Sequence, residues 1–513
     1  MPQPRDRTKP SRRFRLLLLV PLLLLIALSS WAVASPVGGA PDENFHIASI
    51  WCGAGDREGL CESSPGEDGK LVPWATVGSQ CFAFRSDISA NCQAEELGDD
   101  PNKLVLTEHV NAWAHYYSPI YYAVMSVFAS DNVPASVIMV RIMNSLLFVL
   151  IATALFIALP ARRRPLLIIS LAVTTVPWGI FLVASVNANG WAVLAGGTLW
   201  LAVLGFFETS GWRRIALAVL AVLTAVIGAG ARSDMAAYAV LGMGAAVLLA
   251  AHRGLGRRFW LSVILPAVLA VVCFVLFLSA QQIGIWQNGV APGSGGTAQQ
   301  GLGLLVHNFL AVPSLWVGSL GTWPLGWNDV AIPPLVWVGT LFAASAAIFT
   351  GLISMNWRKA LVLAGAGLAL VVLPLYLLQR SLTEVGGLVH PRYLLPLLTM
   401  FVGFALFPVG RRVPTASRLQ IWTVAGILAI ANAVALYSNI RRYTLADAPG
   451  VSLSTSDSWW WESGVPQPTV VWVVGSVAFA GVLALLAHAL ITRVRRVRVD
   501  AAVPSSPRPV IEG

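Results

Sequence analysis

Residues 137–159 read Val-Ile-Met-Val-Arg-Ile-Met-Asn-Ser-Leu-Leu-Phe-Val-Leu-Ile-Ala-Thr-Ala-Leu-Phe-Ile-Ala-Leu. A helix crosses a bilayer with about 20 mostly apolar residues, because the hydrocarbon layer is about 30 Å thick and each residue adds about 1.5 Å. The run therefore predicts a membrane-spanning helix. It also contains Arg141 and Asn144. Ionisable side chains inside a span are costly and usually face a bundle interior, so Arg141 is a candidate functional residue, with snorkelling to the interface as the alternative.

Eleven further runs of this kind occur along the chain, at 16–34, 166–185, 190–207, 215–231, 235–251, 260–280, 334–354, 360–378, 393–409, 419–438 and 468–490. The composition agrees with this pattern, since 56% of the 513 residues are hydrophobic and 11% are charged. In soluble proteins about a quarter of all residues are charged. The sequence therefore predicts an all-α polytopic membrane protein with about twelve transmembrane helices.

The charges predict the orientation of the bundle. With the N-terminus in the cytoplasm, 24 of the 34 Lys and Arg residues fall on the cytoplasmic side and 20 of the 24 acidic residues fall outside. Positive charge marks cytoplasmic loops. We therefore expect a multi-pass protein of the cell membrane with a cytoplasmic basic N-terminus (1–15) and a cytoplasmic tail (491–513). An uncleaved first helix is favoured over a cleaved signal, because its apolar run is longer than a usual signal core.

The same topology explains the basic residues. Basic cytoplasmic loops are partners for anionic membrane lipids, so the net charge of +10 does not indicate nucleic acid.

The cysteines also fit this topology. Four of them, Cys52, Cys61, Cys81 and Cys92, lie in the first external loop, 35–136, and Cys273 lies in a span. On an oxidising side they predict two disulfides with connectivity left open, and zinc is the competing interpretation. The other long external loops are 281–333, which includes a low-complexity stretch at 287–300, and 439–467.

Pro41-Asp-Glu-Asn-Phe-His46 follows the first span and is the strongest local signal for a site. A helix beginning near Pro41 would place Asp42 and His46 on one face, four residues apart. A carboxylate in partly dry surroundings can act as a base. The structural alternative is that Asp42 and Glu43 complement a helix dipole.

Two other stretches carry candidate residues at the external ends of spans. One is His115-Tyr-Tyr-Ser-Pro-Ile-Tyr-Tyr122, where interfacial anchoring by tyrosine is the alternative. The other runs from Gln379 to Pro396 and contains Arg380, His390, Arg392 and Tyr393. A guanidinium grips phosphate by paired hydrogen bonds, although an interfacial arginine can also be a headgroup anchor.

Taken together, the three stretches resemble a bacterial family of predicted membrane proteins, domain of unknown function 2142, over residues 15–440. The layout is similar to the GT-C superfamily of polytopic glycosyltransferases. The resemblance departs from the family pattern at His115, which has an inserted residue after it, and at Pro391, where the family has glycine. The preference for Arg over Lys, 30 against 4, is typical of a high-GC actinobacterial proteome.

The resemblance implies a GT-C-like domain at 16–440, followed by a last external loop and final helix at 441–490. It implies an inverting transfer of sugar from a polyprenyl-phosphate donor to a cell-envelope glycan acceptor. Asp42 would be the base with Glu43 beside it, and His46, His115, Arg380, His390, Arg392 and Tyr393 would bind substrate. A divalent cation occurs in some GT-C enzymes, and the cofactor is left open. The alternatives are a transporter or flippase of lipid-linked glycans and a non-catalytic envelope assembly protein.

Overall fold

The computed structural model describes residues 18–251, 255–279, 301–387, 389–410, 416–453, 459–461 and 464–502. Within these ranges ten helices are long and apolar enough to cross a membrane, and three shorter apolar helices accompany them. Strand is confined to one two-stranded sheet in the described part of the chain. The chain is therefore an all-α polytopic membrane protein, as the sequence predicts. The basic N-terminus (1–15), the stretch 287–300 and the end of the tail (503–513) lie outside the described residues.

Fifteen helices, numbered here in chain order, form the bundle within the described ranges: α1 Leu19–Val33, α2 Val133–Ala158, α3 Arg164–Thr174, α4 Trp178–Val183, α5 Asn189–Glu208, α6 Trp212–Ala231, α7 Ser233–Ala250, α8 Arg257–Ser279, α9 Leu302–Ala311, α10 Pro313–Val317, α11 Pro334–Leu352, α12 Trp357–Arg380, α13 Pro391–Leu406, α14 Arg418–Leu445 and α15 Pro468–Ala502. Each of the twelve predicted spans coincides with one of these helices or, for 166–185, with the pair α3 and α4.

Residues 302–322 are helical, although the sequence places them inside the loop 281–333. They form α9, α10 and a π-helical turn, Gly318–Thr322. Both ends of the segment contact one end of the bundle: Gln379 donates to the Gly301 carbonyl (3.3 Å), and the Ser319 hydroxyl donates to the Pro391 carbonyl (2.8 Å). The segment therefore enters and leaves at the same end. The segment is apolar enough on average to count among the ten candidate spans, but polar residues such as His307 and Asn308 interrupt the continuous apolar run that marks the other spans in the sequence.

The two ends of the bundle are chemically different. One end, called here the disulfide face, holds the connections 34–132, 323–333, 381–390 and 446–453. The other end, the arginine face, holds the short connections 159–163, 209–211, 353–356 and 407–410. The names follow from the two disulfides on one side and from Arg162 and Arg163 on the other.

Helix α5 forms the centre of the bundle, and every residue from Asn189 to Phe206 is buried. Glycine allows the close approach of a neighbour. A Cβ atom at Gly196 would lie 2.8 Å from the backbone of Pro396 in α13, and one at Gly403 would lie 2.5 Å from the Trp200 ring. Small residues at such contacts are typical of membrane helix packing, because they let two backbones meet closely. This packing holds α13, which carries Arg392, firmly against the core.

Polar backbone groups inside the bundle find side-chain partners. Pro374 lacks an N–H, so the Leu370 carbonyl one turn earlier has no helical partner, and the Trp316 indole donates to it (3.1 Å). At the arginine face, the buried Lys359 ammonium donates to the Gly351 carbonyl (2.7 Å) and the Ser354 carbonyl (2.8 Å). Such bonds matter because an unpaired polar group in hydrocarbon costs several kcal/mol.

The connection 34–132 folds onto the disulfide face as a compact layer. It contains helix Glu43–Trp51 and the antiparallel strands β1 Lys70–Pro73 and β2 Leu104–Thr107. Its two disulfides join Cys52 to Cys61 and Cys81 to Cys92. The prediction of disulfides is confirmed, and the structure decides the connectivity that the sequence leaves open.

One arginine anchors the second disulfide loop to the bundle. The Arg442 guanidinium, at the end of α14, donates to the carbonyls of Ile88 (2.7 Å) and Arg85 (2.7 Å) and pairs with the buried Asp329 carboxylate (2.8 Å). Tyr443 next to it donates to the Gly39 carbonyl (2.7 Å). The layer is therefore fixed to the late helices as well as to α1.

We expect one free thiol in five when denatured, non-reduced protein is labelled with a maleimide reagent. Cys273 is the only unpaired cysteine of the five and is buried in α8, so it should react only after denaturation. Mass spectrometry of the labelled protein gives the count, and a reduced sample with five labels is the control. Labelling of more than one cysteine without reduction would contradict the pairing.

Candidate functional site

Asp42 lies at the entrance of helix Glu43–Trp51 in a left-handed backbone conformation, with φ 57° and ψ 16°. Non-glycine residues seldom adopt this region, although Asp tolerates it better than most. The sequence places the helix start near Pro41, whereas the helix begins one residue after Asp42. The carboxylate makes no capping bond to this helix. It extends across the disulfide face instead.

The partner of Asp42 is Arg392, 350 residues further along the chain. Arg392 Nη2 lies 2.7 Å from Asp42 Oδ2, and the Asp42 side chain is 41% exposed. Arg392 itself is only 4% exposed and lies in the first turn of α13. Its Nε is buried and has no hydrogen-bond partner. The pair thus joins a reachable carboxylate to a buried guanidinium that keeps one donor unused.

A second guanidinium lies beside the first. Arg232, between α6 and α7, is 4.6 Å from the centre of the Tyr393 ring, and Arg392 is 5.0 Å from the same ring. Asp234 holds Arg232 with bonds of 2.9 and 2.8 Å. In the sequence, Ala231-Arg-Ser-Asp234 looks like no more than a break between the apolar runs 215–231 and 235–251. The signal in the sequence that could have identified Arg232 is its oppositely charged neighbour Asp234, since the two lie between apolar runs.

His46 lies on the buried, aromatic side of the cluster. Its ring is fully buried among Phe45, Tyr117 and Tyr122, and Nδ1 lies 2.9 Å from the Tyr122 hydroxyl. Nε2 is buried without a partner. Burial lowers the pKa of His46 to about 3, although Asp42 acts in the opposite direction. The imidazole is therefore neutral at physiological pH, and its free nitrogen can take part in one more hydrogen bond.

Opposing effects set the charge of Asp42. Burial acts to raise the pKa of its carboxyl group, but the neighbouring positive charges, Arg392 first among them, outweigh this effect and lower the pKa below its usual value. Asp42 is therefore ionised throughout the physiological range. Nearby, burial lowers the pKa of His390 to about 4. Its ring lies edge-on to Trp323 and Tyr393.

Glu43 points away from this cluster, into the bundle. Its buried carboxylate receives bonds from Arg141 Nε (3.1 Å) and Nη2 (2.8 Å), and from the backbone N–H groups of Ala40 (3.0 Å) and Val186 (2.9 Å). Arg141 also donates to the carbonyls that end α1, at Ala32 (2.9 Å) and Ser35 (2.6 Å). Arg141 therefore faces the bundle interior, and these contacts fix the chain that leads to Asp42. The reacting role predicted for Glu43 stays a prediction.

Two predicted substrate ligands lie elsewhere on the disulfide face. His115 ends the short helix Asn111–Ala114 in a left-handed conformation, and its side chain is exposed. Arg380 is exposed at the end of α12 and stacks on Tyr376, 5.9 Å from the ring centre. The structure thus brings together Asp42, His46, His390, Arg392 and Tyr393 and adds Arg232 and Tyr117. We call these seven residues the Asp42–Arg392 cluster.

The cluster does not fit a divalent cation. Among the described residues, no three His, Cys, Asp or Glu side chains come together as possible ligands. The exposed carboxylate of the cluster is already paired with one guanidinium and is close to a second. Asp42 is paired with Arg392 and Asp234 is paired with Arg232, so each nearby carboxylate already has a fixed positive partner, which disfavours a bound cation.

Fold and site together define a polytopic membrane protein with a carboxylate and two guanidinium groups clustered at one end of its bundle. A family model described as "Predicted membrane protein (DUF2142)" matches residues 23–402. Because the match covers well over half of the chain, the protein belongs to this family. No curated protein and no solved structure matches the chain.

Proposed function

We propose that this protein is a GT-C-type inverting glycosyltransferase that uses a polyprenyl-phosphate sugar, with the Asp42–Arg392 cluster as its reaction centre. The observation that carries the proposal is the contact between Asp42 and Arg392, 2.7 Å, at the aqueous end of the bundle. A reachable carboxylate and a buried guanidinium side by side are the two groups that such a transfer needs. One removes a proton, and the other stabilises the departing phosphate.

The acceptor hydroxyl attacks the anomeric carbon of the sugar from the side opposite the phosphate, and its proton passes to Asp42. The bond between the anomeric carbon and the phosphate oxygen breaks with its electron pair, so the polyprenyl phosphate leaves with one more negative charge. The new glycosidic bond has inverted configuration. A positioned general base of this kind contributes about 10²- to 10⁴-fold.

Arg392 is suited to the leaving group. Its guanidinium is held by Asp42 and by the Tyr393 hydroxyl (3.2 Å), and its Nε–H is unpartnered. Donors aimed in advance at developing charge stabilise a transition state most in a site with little water. Arg232 adds a second positive charge on the Tyr393 ring, 4.6 Å from its centre.

The location agrees with a lipid-linked donor. Arg392 lies in the first turn of α13, so a phosphate bound there is at the boundary of the membrane and its lipid tail can extend along the bundle. The acceptor glycan approaches from the aqueous side, where Asp42 is exposed. We assign this side to the cell exterior, because it carries both disulfides. The protein then resides in the cell membrane, with both chain ends in the cytoplasm.

We expect polyprenyl-phosphate sugar to co-purify with the wild-type protein and to be lost from Arg392→Gln. The protein is purified in mild detergent from cells that make such lipids, and the organic extract is analysed by mass spectrometry. Loss of a charge-assisted bond to phosphate should reduce the retained lipid about 10- to 100-fold. Arg380 is the other arginine predicted to bind the phosphate. The variant Arg380→Gln should retain wild-type amounts of the lipid, because the Arg380 guanidinium lies on the Tyr376 ring and not in the Asp42–Arg392 cluster.

Arg85→Gln is the matched control for the lost charge, because Arg85 is exposed on the same face. Size-exclusion profiles and the thiol count verify that each variant is folded. Absence of any polyprenyl-phosphate sugar from wild-type protein, or equal retention by Arg392→Gln, would overturn the proposal.

A further inference from the structure

A second candidate site lies at the arginine face, at the opposite end of the bundle from the Asp42–Arg392 cluster. Two cavities meet there. The first, of about 330 Å³, is lined by apolar side chains of α3, α11, α14 and α15, including Ile168, Ala346, Leu428 and Leu486. The second, of about 300 Å³, is lined by Arg162, Arg163 and Arg358 together with apolar residues.

The two cavities are adjacent. Both are lined by Ile169, Thr350, Leu406 and Ala416. The apolar cavity therefore lies directly beside the basic one. One occupant with an apolar part and a charged part would fill both.

Positive charge exceeds negative charge at the basic cavity. Arg162 and Arg163 both pair with the buried Glu208 carboxylate, at 2.9 and 2.7 Å, and Arg358 also lines the cavity. No acidic residue is among the described residues that line the basic cavity, and Glu208 is the acidic partner of two of its arginines. Three guanidinium groups thus face a single carboxylate, so the cavity attracts an anion.

Unused donors make the basic cavity a formed site. The Arg163 guanidinium is 2% exposed and spends Nε (3.0 Å) and Nη2 (2.7 Å) on Glu208, whereas its Nη1 is buried without a partner. Its carbon Cζ lies 4.2 Å from the centre of the Phe407 ring, which fixes its position. Arg358 Nε is likewise buried and unpartnered. Buried polar groups normally have partners, so two unpaired N–H groups on arginines that line the same cavity indicate a missing acceptor.

We propose that an anionic phospholipid binds here, with its phosphate on Arg163 and Arg358 and one acyl chain in the apolar cavity. Phosphate oxygens accept the charge-assisted hydrogen bonds that the free N–H groups offer. Basic pockets between membrane helices are typical sites for lipid headgroups. The acyl chain of the lipid would then contact α3, α11, α14 and α15 together and strengthen the packing of the late helices. This site does not depend on the proposed glycosyltransferase activity, because the two lie at opposite ends of the bundle.

The test is native mass spectrometry of detergent-purified protein mixed with equal amounts of phosphatidylglycerol and phosphatidylcholine. Wild-type protein should retain the anionic lipid about tenfold over the zwitterionic one. Ala346→Trp fills the apolar cavity and should reduce this ratio to near one. Arg358→Gln removes a phosphate ligand without touching the bonds between Arg163 and Glu208, and should reduce it several-fold.

Ala267→Trp is the matched control, because Ala267 is exposed on α8 away from both cavities and the variant should bind as wild type. Soluble glycerol phosphate in excess should not displace the lipid, since the acyl chain contributes to binding. Equal retention of the two lipids by wild-type protein would overturn the proposal. So would wild-type ratios in both Ala346→Trp and Arg358→Gln, or displacement by glycerol phosphate.

Discussion

Replacement of Asp42 by Asn is expected to abolish glycosyl transfer while leaving the protein folded and the donor bound. The amide oxygen can still accept a bond from Arg392, which lies 2.7 Å from the carboxylate, but it cannot take the proton of the acceptor hydroxyl. Loss of a positioned general base costs about 10²- to 10⁴-fold in rate. The measurement is turnover in proteoliposomes that contain the co-purified donor lipid, together with restoration of the surface glycan in a deletion strain.

The control for this substitution is Asp56→Asn. Asp56 lies in the same layer on the disulfide face, is 53% exposed and pairs with Lys70 at 2.7 Å. It has no contact with the Asp42–Arg392 cluster, so the variant should keep wild-type turnover. Turnover of Asp42→Asn within a factor of two of wild type, with equal protein in the membrane, would exclude Asp42 as the base.

The pH profile gives a second readout for the same prediction. The pKa of Asp42 lies below its usual value, and burial lowers the pKa of His46 to about 3 and that of His390 to about 4. None of these groups gains a proton between about pH 8 and pH 5. The rate should therefore stay level over this range. A fall in rate with a midpoint near pH 6.5 would instead indicate an ordinary histidine as the base.

Replacement of Arg141 by Leu is expected to be the most destabilising single change in the protein. Arg141 is 1% exposed and Glu43 is 0% exposed, so the substitution leaves a buried carboxylate without its counter-charge. Removal of one partner of a buried ion pair costs about 3–5 kcal/mol. Three carbonyl groups, at Ala32, Ser35 and Pro36, lose their donor as well.

Thermal unfolding in detergent, followed by the loss of the monodisperse size-exclusion peak, measures this effect. Arg85→Leu, at an exposed position, is the control and should unfold close to the wild-type temperature. Glu43→Gln should be milder than Arg141→Leu, because the Arg141 guanidinium that it leaves without a counter-charge keeps its bonds to the carbonyls of Ala32, Ser35 and Pro36. An unfolding temperature of Arg141→Leu equal to that of Arg85→Leu would show that the pair does not hold the structure.

The two adjacent acids show where sequence reasoning reaches its limit. Asp42 and Glu43 share one motif, and the sequence assigns both to the reaction. In the structure, Asp42 turns toward Arg392 and Glu43 turns toward Arg141. The left-handed backbone at Asp42, φ 57°, separates their directions. The local pattern cannot predict this split, because the partners lie on α13 and α2 and are brought near only by the packing of the bundle.

Arg232 and the segment 302–322 show the same limit. Arg232 looks like a loop residue in sequence, and only the packing of α6 and α7 against Tyr117 and Tyr393 makes it part of the cluster. Residues 302–322 are helical and apolar enough on average to cross a membrane, but polar side chains interrupt their apolar run, and the contacts of Gly301 and Ser319 place both ends on the disulfide face.

The sequence by itself determined the class of the protein, the position of most of its membrane helices and the presence of disulfides. These features follow from local properties, namely the length of the apolar runs against membrane thickness and the clustering of cysteines in one connection. The sequence also located the motif that contains Asp42 and His46. Only the tertiary structure decided the cysteine pairing, the partner of Asp42 and the gathering of Arg232, Arg392 and Tyr393. These contacts join residues up to 350 positions apart. They depend on which helix faces meet, and hydropathy carries little information on that point because lipid and bundle interior are both apolar.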